Sequence, residues 1–223
     1  MNGMTFTPKL YFSPGAVSLV THIALEELGA PYALELVSTQ EGQQHSEQYR
    51  RIHPLGRVPA LEIAPGVVLT ETPALLGYLA DLMPSLELLP REPLLRARAN
   101  EWMSLLCSAV HVNFICFFRP RRYTSDEAAA AALKLDGKQR FVESLGYIEG
   151  RLPEIGFALG EVYSLCDAYL TVVYLWALRL QLETAHLPRY KRLARAVLAR
   201  PAVRRALEQE GFGHLYQGAL TVF

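Results

Sequence analysis

Two short stretches of this chain combine residue types that suit the capture of a small peptide-like ligand. Val58-Pro59 sets a proline at the start of an expected strand. A cis bond there aims the Val58 N–H and C=O out of the sheet, where an extended peptide pairs with them as an added strand; an ordinary trans proline at a strand's first residue is the plain alternative. Glu71-Thr72-Pro73 stands where a strand hands over to a helix. Thr72 as N-cap and Pro73 as first helical residue are what a helix start needs by itself. The same residues also make an anion site: free helix amides for a carboxylate, with Glu71 beside them to accept a hydrogen bond from an ammonium group. Together they would hold the α-amino acid end of a ligand.

A third set lies further along. Ser104, Ser108 and His111 are spaced by four and three, which on a helix of ~100° per residue puts them within about 40° of one another. That stripe is either a solvent-facing polar face or one wall of a site that faces another domain across a cleft. Ser164-Leu165-Cys166-Asp167 matches a capping box, and its expected role is to start a buried helix. Arg119, Arg121 and Arg122 close a helix where cations suit the negative end of the dipole. His22 and His53 are isolated, without metal-ligand spacing, and no metal role is assigned.

The elements that must position these groups follow from composition and period. The chain has 223 residues, 51% of them hydrophobic and 20% charged, which is the balance of a globular protein with a sizeable core. Lys plus Arg and Asp plus Glu are both 22. With no net positive charge, nucleic acid and anionic membrane surfaces are not expected as partners. Three scattered cysteines make no disulfide framework, and a reducing cytoplasm is expected. The N-terminus lacks the pattern of a signal peptide, and the most apolar stretch, 168–178, falls far short of the ~20 residues of a membrane span.

Residues 1–84 read as α/β in the order β-α-β-α-β-β-α. Strands are expected at Lys9 to Phe12, Pro31 to Val37, Pro59 to Ile63 and Val67 to Leu69. A helix with Leu19, Ile23, Ala24 and Leu28 on its apolar face stops at Gly29, a short one runs around Glu47 to Ile52, and another runs from Pro73 to Leu82. The segment from Pro84 to Pro93 holds three prolines, so 85–93 is read as a linker. Residues 94–223 read as all-α, with helices over 94–118, 127–152, 167–182, 189–198 and 202–208. The apolar 167–182 helix is expected at the centre of that domain.

The run Lys9-Leu-Tyr-Phe-Ser-Pro-Gly-Ala-Val-Ser-Leu, the segments Pro54-Leu-Gly-Arg-Val-Pro-Ala-Leu and Leu69-Thr-Glu-Thr-Pro-Ala, the 102–111 helix followed by Phe117-Phe-Arg-Pro, and Tyr163-Ser-Leu-Cys-Asp-Ala-Tyr-Leu resemble, in order and over nearly the whole chain, bacterial cytosolic glutathione S-transferases, most closely the beta class. The resemblance implies a thioredoxin-like N-terminal domain followed by an all-helical C-terminal domain, a homodimer, and a glutathione site in the interdomain cleft. By the same resemblance Pro59 is the cis proline, Val58 pairs through its backbone with the cysteinyl unit, and the γ-glutamyl end sits at Glu71 and Thr72. Ser104, Ser108 and His111 stand at positions that resemble the family's site-facing polar residues. Two positions depart from the pattern: Val17 replaces the cysteine that meets the glutathione sulfur, and Val112 replaces the lysine that follows the site histidine.

A conjugating enzyme needs the thiolate of glutathione, its co-substrate, although a free cysteine thiol titrates near a pKa of about 8.5. The helix starting near Ala16 offers amides at Val17 and Ser18 to stabilise the anion. Among side chains, the Ser18 hydroxyl is the first candidate donor, Tyr11 the second and Ser13 the third, with His111 contributing from across the cleft. The expected electrophile is a small apolar molecule held by Phe114, Phe117 and Phe118. A non-catalytic glutathione-transferase-like binding or scaffold module is the alternative, because the family's thiol contact is missing. Thiol-disulfide exchange by the protein is not expected with Val17 at the helix start. The three cysteines are read as buried structural thiols, and no metal is expected.

Overall fold

The structure, a computed structural model, describes residues 6–213. These divide into two compact units, one of residues 6–89 with 197–213 and one of residues 90–196.

The first unit is built on a four-stranded sheet of β1 (Lys9–Phe12), β2 (Ala33–Leu36), β3 (Ala60–Ala64) and β4 (Val67–Thr70), in the order β2-β1-β3-β4. β1 runs parallel to β2 and antiparallel to β3, and β3 is antiparallel to β4. Helices α1 (Ser18–Leu28), α2 (Glu47–Ile52) and α3 (Thr72–Leu82) complete the thioredoxin-like arrangement expected from the sequence. Strand alternation explains the layering: Tyr11 and Ala60 pack with Val37 and Tyr49 on the α2 side, whereas Leu10 and Leu61 are buried on the opposite face. α1 ends at Gly29 in a left-handed cap, as the glycine after its last apolar residue leads one to expect.

Read from the sequence, residues after 93 form the second domain, whereas in the structure 197–213 group with the first unit. Helix α9 (Pro201–Gln209; α4 to α8 belong to the second unit) packs on α1 and buries Val203, Ala206 and Leu207. Its charged side is tied to α1 by a bidentate Arg200–Glu27 pair at 2.6 and 2.9 Å and by Arg205–Glu26 at 2.6 Å. α1 is therefore covered on two sides, which is why even its Ser18, Thr21 and His22 are fully buried. An amphipathic pattern states that a helix has a buried face without stating what covers it, so the return of α9 is not readable from the pattern.

The second unit contains α4 (Pro93–Leu105), α5 (His111–Phe118), α6 (Glu127–Arg151), α7 (Leu165–Arg179) and α8 (Pro188–Leu198), the last ending at the unit's border. α7 is the buried centre: every residue from Leu165 to Ala177 is buried. The expected single helix over 94–118 is two helices joined by a widened π turn at Leu106–Val110. The run 93–118 has the length and apolar composition of a membrane span. Within its unit it is a packing element, with Trp102, Met103, Leu106, Val110 and Phe114 buried. Of the three thiols expected to be buried, only Cys166 is; Cys107 and Cys116 are half-exposed.

Candidate functional site

Register places the first unit's candidate residues at one end of its sheet. Tyr11 pairs with Ala60, and Ala60 with Thr70. The segments just beyond those pairs therefore lie side by side: Ser13 after β1, Val58-Pro59 before β3, and Glu71-Thr72 after β4. This is also the end from which α1 and α3 start, so two sets of helix N-terminal amides open onto it.

The Val58–Pro59 bond is cis, as expected. Val58 lies outside the β1–β3 ladder, so its N–H and C=O take no part in the sheet. The loop before it is fixed by the Tyr49 hydroxyl, which donates to the Arg57 carbonyl at 2.6 Å. Gly56 adopts a φ of +60°, and an added Cβ would come within 2.6 Å of the Gln44 carbonyl oxygen, so glycine is required there.

The start of α3 differs by one residue from expectation. Glu71, not Thr72, occupies the cap position, and its carbonyl accepts from the Leu75 N–H at 3.0 Å. Thr72 is the first helical residue and is buried. Glu71 has φ 67° and ψ 113°, a costly conformation for a residue with a side chain. Its carboxylate is exposed and makes no hydrogen bond among the described residues. A backbone outlier of this kind next to helix amides makes Glu71 a candidate functional position, and no sequence signal announces the strain. His53, isolated in the sequence and assigned no metal role, is buried with Nδ1 unpartnered. Burial lowers its pKa, opposed by the nearby Glu71 charge.

The β1–α1 connection is the sulfur-handling end of the reading, and here the side-chain assignments change. Ser13-Pro14-Gly15-Ala16 forms a turn closed by the Ala16 N–H on the Ser13 carbonyl at 3.0 Å, with proline second and Gly15 third at φ 66°. The Ser18 hydroxyl, first candidate for the thiolate, is fully buried, donates to the Ser13 carbonyl at 3.2 Å and accepts from the Ser13 N–H at 3.1 Å. Its proton is used inside the turn. Tyr11, the second candidate, alternates onto the α2 side, where it packs against Tyr49 and donates to Glu62 at 3.3 Å. Burial raises its pKa further. Ser13 Oγ pairs with Thr39 Oγ1 at 3.0 Å. The groups left for an anion are the backbone amides of Val17 and Ser18, which donate to no backbone carbonyl outside the helices among the described residues. Ser18→Ala is accordingly expected to cost about 1–3 kcal/mol of stability, read as a lower urea midpoint. A variant with the wild-type midpoint but reduced kcat/KM would return the hydroxyl to the sulfur.

In the second unit the π turn separates the polar stripe. Ser104 and Ser108 are exposed, and the Ser108 hydroxyl donates to the Ser104 carbonyl at 2.7 Å. His111, just after the π turn, is half-buried with its ring 5.0 Å from that of Trp176. The three do not form one uniform stripe, because a widened turn rotates the residues after it. Phe114 is buried between Trp176 at 4.3 Å and Phe118 at 5.3 Å, leaving Phe118 as the exposed ring. Among the described residues no group of three or more His, Cys, Asp or Glu side chains is arranged to hold a metal ion.

Comparison with known proteins bears on the same region. Residues 15–82 match the family model described as glutathione S-transferase, N-terminal domain. Glutathione S-transferase GstA of Escherichia coli O157:H7 is 32% identical over 205 residues, covering 91% of this chain and 98% of that protein. Two solved structures are similar over 92% of this chain and 99% of their own. One is a glutathione transferase homologue from Sulfitobacter with bound glutathione, at 31% identity and a TM-score of 0.87; the other is the beta-class glutathione S-transferase of Sphingomonas chungbukensis, at 33% and 0.80.

Proposed function

The chain belongs to the glutathione S-transferase family, and from that premise we propose that it binds reduced glutathione at the sheet end formed by Val58-Pro59, Glu71-Thr72 and the start of α1, and adds the thiolate to a small apolar electrophile. The observation that carries the reading is the convergence by register of an unpaired backbone segment at Val58, the strained and exposed Glu71, and two helix N-termini. Each suits one part of the tripeptide. The Val58 backbone pairs with the cysteinyl unit as an added strand. Glu71 accepts from the α-ammonium while the first α3 amides take the α-carboxylate. The sulfur then falls to the amides of Val17 and Ser18, where a helix N-terminus favours the thiolate. With Val17 at that position the start of α1 supplies no thiol, so the proposed chemistry there is addition or conjugation and not a mixed disulfide.

The proposal includes a homodimer in a reducing cytoplasm and keeps Ser104, Ser108 and His111 as second-unit residues that bear on the ligand. Conjugation of glutathione to 1-chloro-2,4-dinitrobenzene, followed by absorbance, tests the enzymatic part. Turnover lost in His111→Ala with glutathione affinity retained would support the role of that ring. One observation favours a second reading, a binding module without turnover: the hydroxyls of Ser18 and Tyr11 are both engaged elsewhere. Glutathione binding without thiolate absorbance at neutral pH would select it.

A further inference from the structure

The turn that presents the α1 amides is held from a distant part of the chain. Glu210, the residue after α9, is buried, and its carboxyl reaches two groups: Oε2 accepts from the Gly15 N–H at 2.8 Å, and Oε1 lies 2.9 Å from His22 Nδ1. The other ring nitrogen of His22, Nε2, lies 3.0 Å from both the Tyr32 hydroxyl and Gln209 Oε1. Tyr32 donates its proton to Glu26, and Gln209 turns its NH₂ to Glu26 at 2.7 Å, so both present acceptors to Nε2. His22 therefore carries hydrogen on Nε2, and one further proton is shared between Nδ1 and Glu210. Wherever that proton rests, the pair has net charge zero. Burial raises the Glu210 pKa, opposed by the His22 and Gly15 hydrogen bonds.

A buried carboxyl is costly unless its partners are well placed. Joining α9 to α1 does not require one, since Arg200–Glu27 and Arg205–Glu26 already do so at the edge of the same helix pair. Beyond joining the helices, Glu210 gives the Gly15 N–H a buried acceptor. Ser18 pins the turn from within through Ser13, and Glu210 pins it from outside through Gly15.

We propose that Glu210, oriented by His22, is a positioning residue of the sulfur site: it fixes the Ser13–Ser18 turn so that the Val17 and Ser18 amides point where the glutathione thiolate is held. This rests on the glutathione reading above. It also identifies a role for His22 that is invisible in sequence, its partner being 188 residues away.

The test compares full-length wild type with Glu210→Ala, Glu210→Gln and, as a control that cuts the same helix pair elsewhere, Arg200→Gln. Three quantities are read: the titration of bound glutathione by thiolate absorbance, the urea midpoint, and hydrogen exchange of the Gly15 amide without ligand. Glu210→Ala should move the thiol titration up by about one pH unit and expose the Gly15 amide to exchange. Glu210→Gln should restore both, because its Oε1 accepts from Gly15 and its NH₂ donates to a neutral His22. Arg200→Gln should lower the urea midpoint and leave the thiol titration in place. If Glu210→Ala does not fold, Glu210→Asp, one methylene short of spanning both partners, gives the same comparison. The proposal is overturned if the thiol titration of the alanine or aspartate variant coincides with wild type while the midpoint falls as in Arg200→Gln. A wild-type protein that binds no glutathione overturns the functional reading instead, and the Gly15 exchange then decides whether Glu210 holds the turn.

Discussion

Glu71→Ala is expected to weaken binding of reduced glutathione by about 1.5–3 kcal/mol, roughly ten- to a hundredfold or more, with little loss of fold stability. The carboxylate is exposed and makes no hydrogen bond among the described residues, so removing it costs the fold nothing that is visible, while an ammonium group of the ligand loses its charged acceptor. Glu71→Gly separates the side chain from the backbone. At φ 67° and ψ 113° a glycine relieves strain of order 1–3 kcal/mol, so this variant should unfold at higher urea than wild type and yet bind as poorly as the alanine variant. Calorimetry and urea unfolding check the two halves. Wild-type affinity in both variants would remove Glu71 from the site.

The largest effect on stability is expected at Asp167. Its carboxylate is fully buried at the start of α7 and accepts from the Ser164 N–H at 2.7 Å, the Ser164 hydroxyl at 2.9 Å and the Ala158 N–H at 2.8 Å. Asp167→Ala leaves those donors without an acceptor at the helix on which the second unit is centred, and should cost about 3–5 kcal/mol, enough to unfold a marginal domain. Burial pushes the Asp167 carboxyl up to about 6, opposed by these hydrogen bonds. Because the folded protein holds this proton more tightly than the unfolded chain does, the associated stability is present in full below the ordinary carboxyl pKa and is lost as pH rises towards 6. Wild type should therefore lose stability relative to Asp167→Asn between about pH 4 and 6, measurable as a narrowing or inverting difference in urea midpoints.

Local patterns announced most of the architecture because each is set by a few neighbouring residues. Gly29 stops α1, Ser164 and Asp167 open α7, and the alternation in β1 sends Tyr11 and Leu10 to opposite faces. The segments proposed to hold glutathione are legible for the same reason: Val58-Pro59 and Glu71-Thr72 are contiguous pairs with a physical meaning of their own. What escaped the sequence depends on contacts or backbone angles that no local pattern encodes. Ser18 looked like a thiolate donor until the turn placed the Ser13 backbone against its hydroxyl. The period of 93–118 could not reveal the π turn that parts His111 from Ser104 and Ser108. His22 looked isolated because Glu210 lies at the far end of the chain, and Glu71's unusual φ has no compositional signature.

The most direct test of the account is isothermal titration of the wild-type protein with reduced glutathione at neutral pH, followed by the same titration of Glu71→Ala. Saturable binding by the wild type, thiolate absorbance from the bound ligand, and an affinity lowered about tenfold or more in the variant are expected. A wild-type titration with no heat of binding and no competition by S-methylglutathione at millimolar concentration would contradict it.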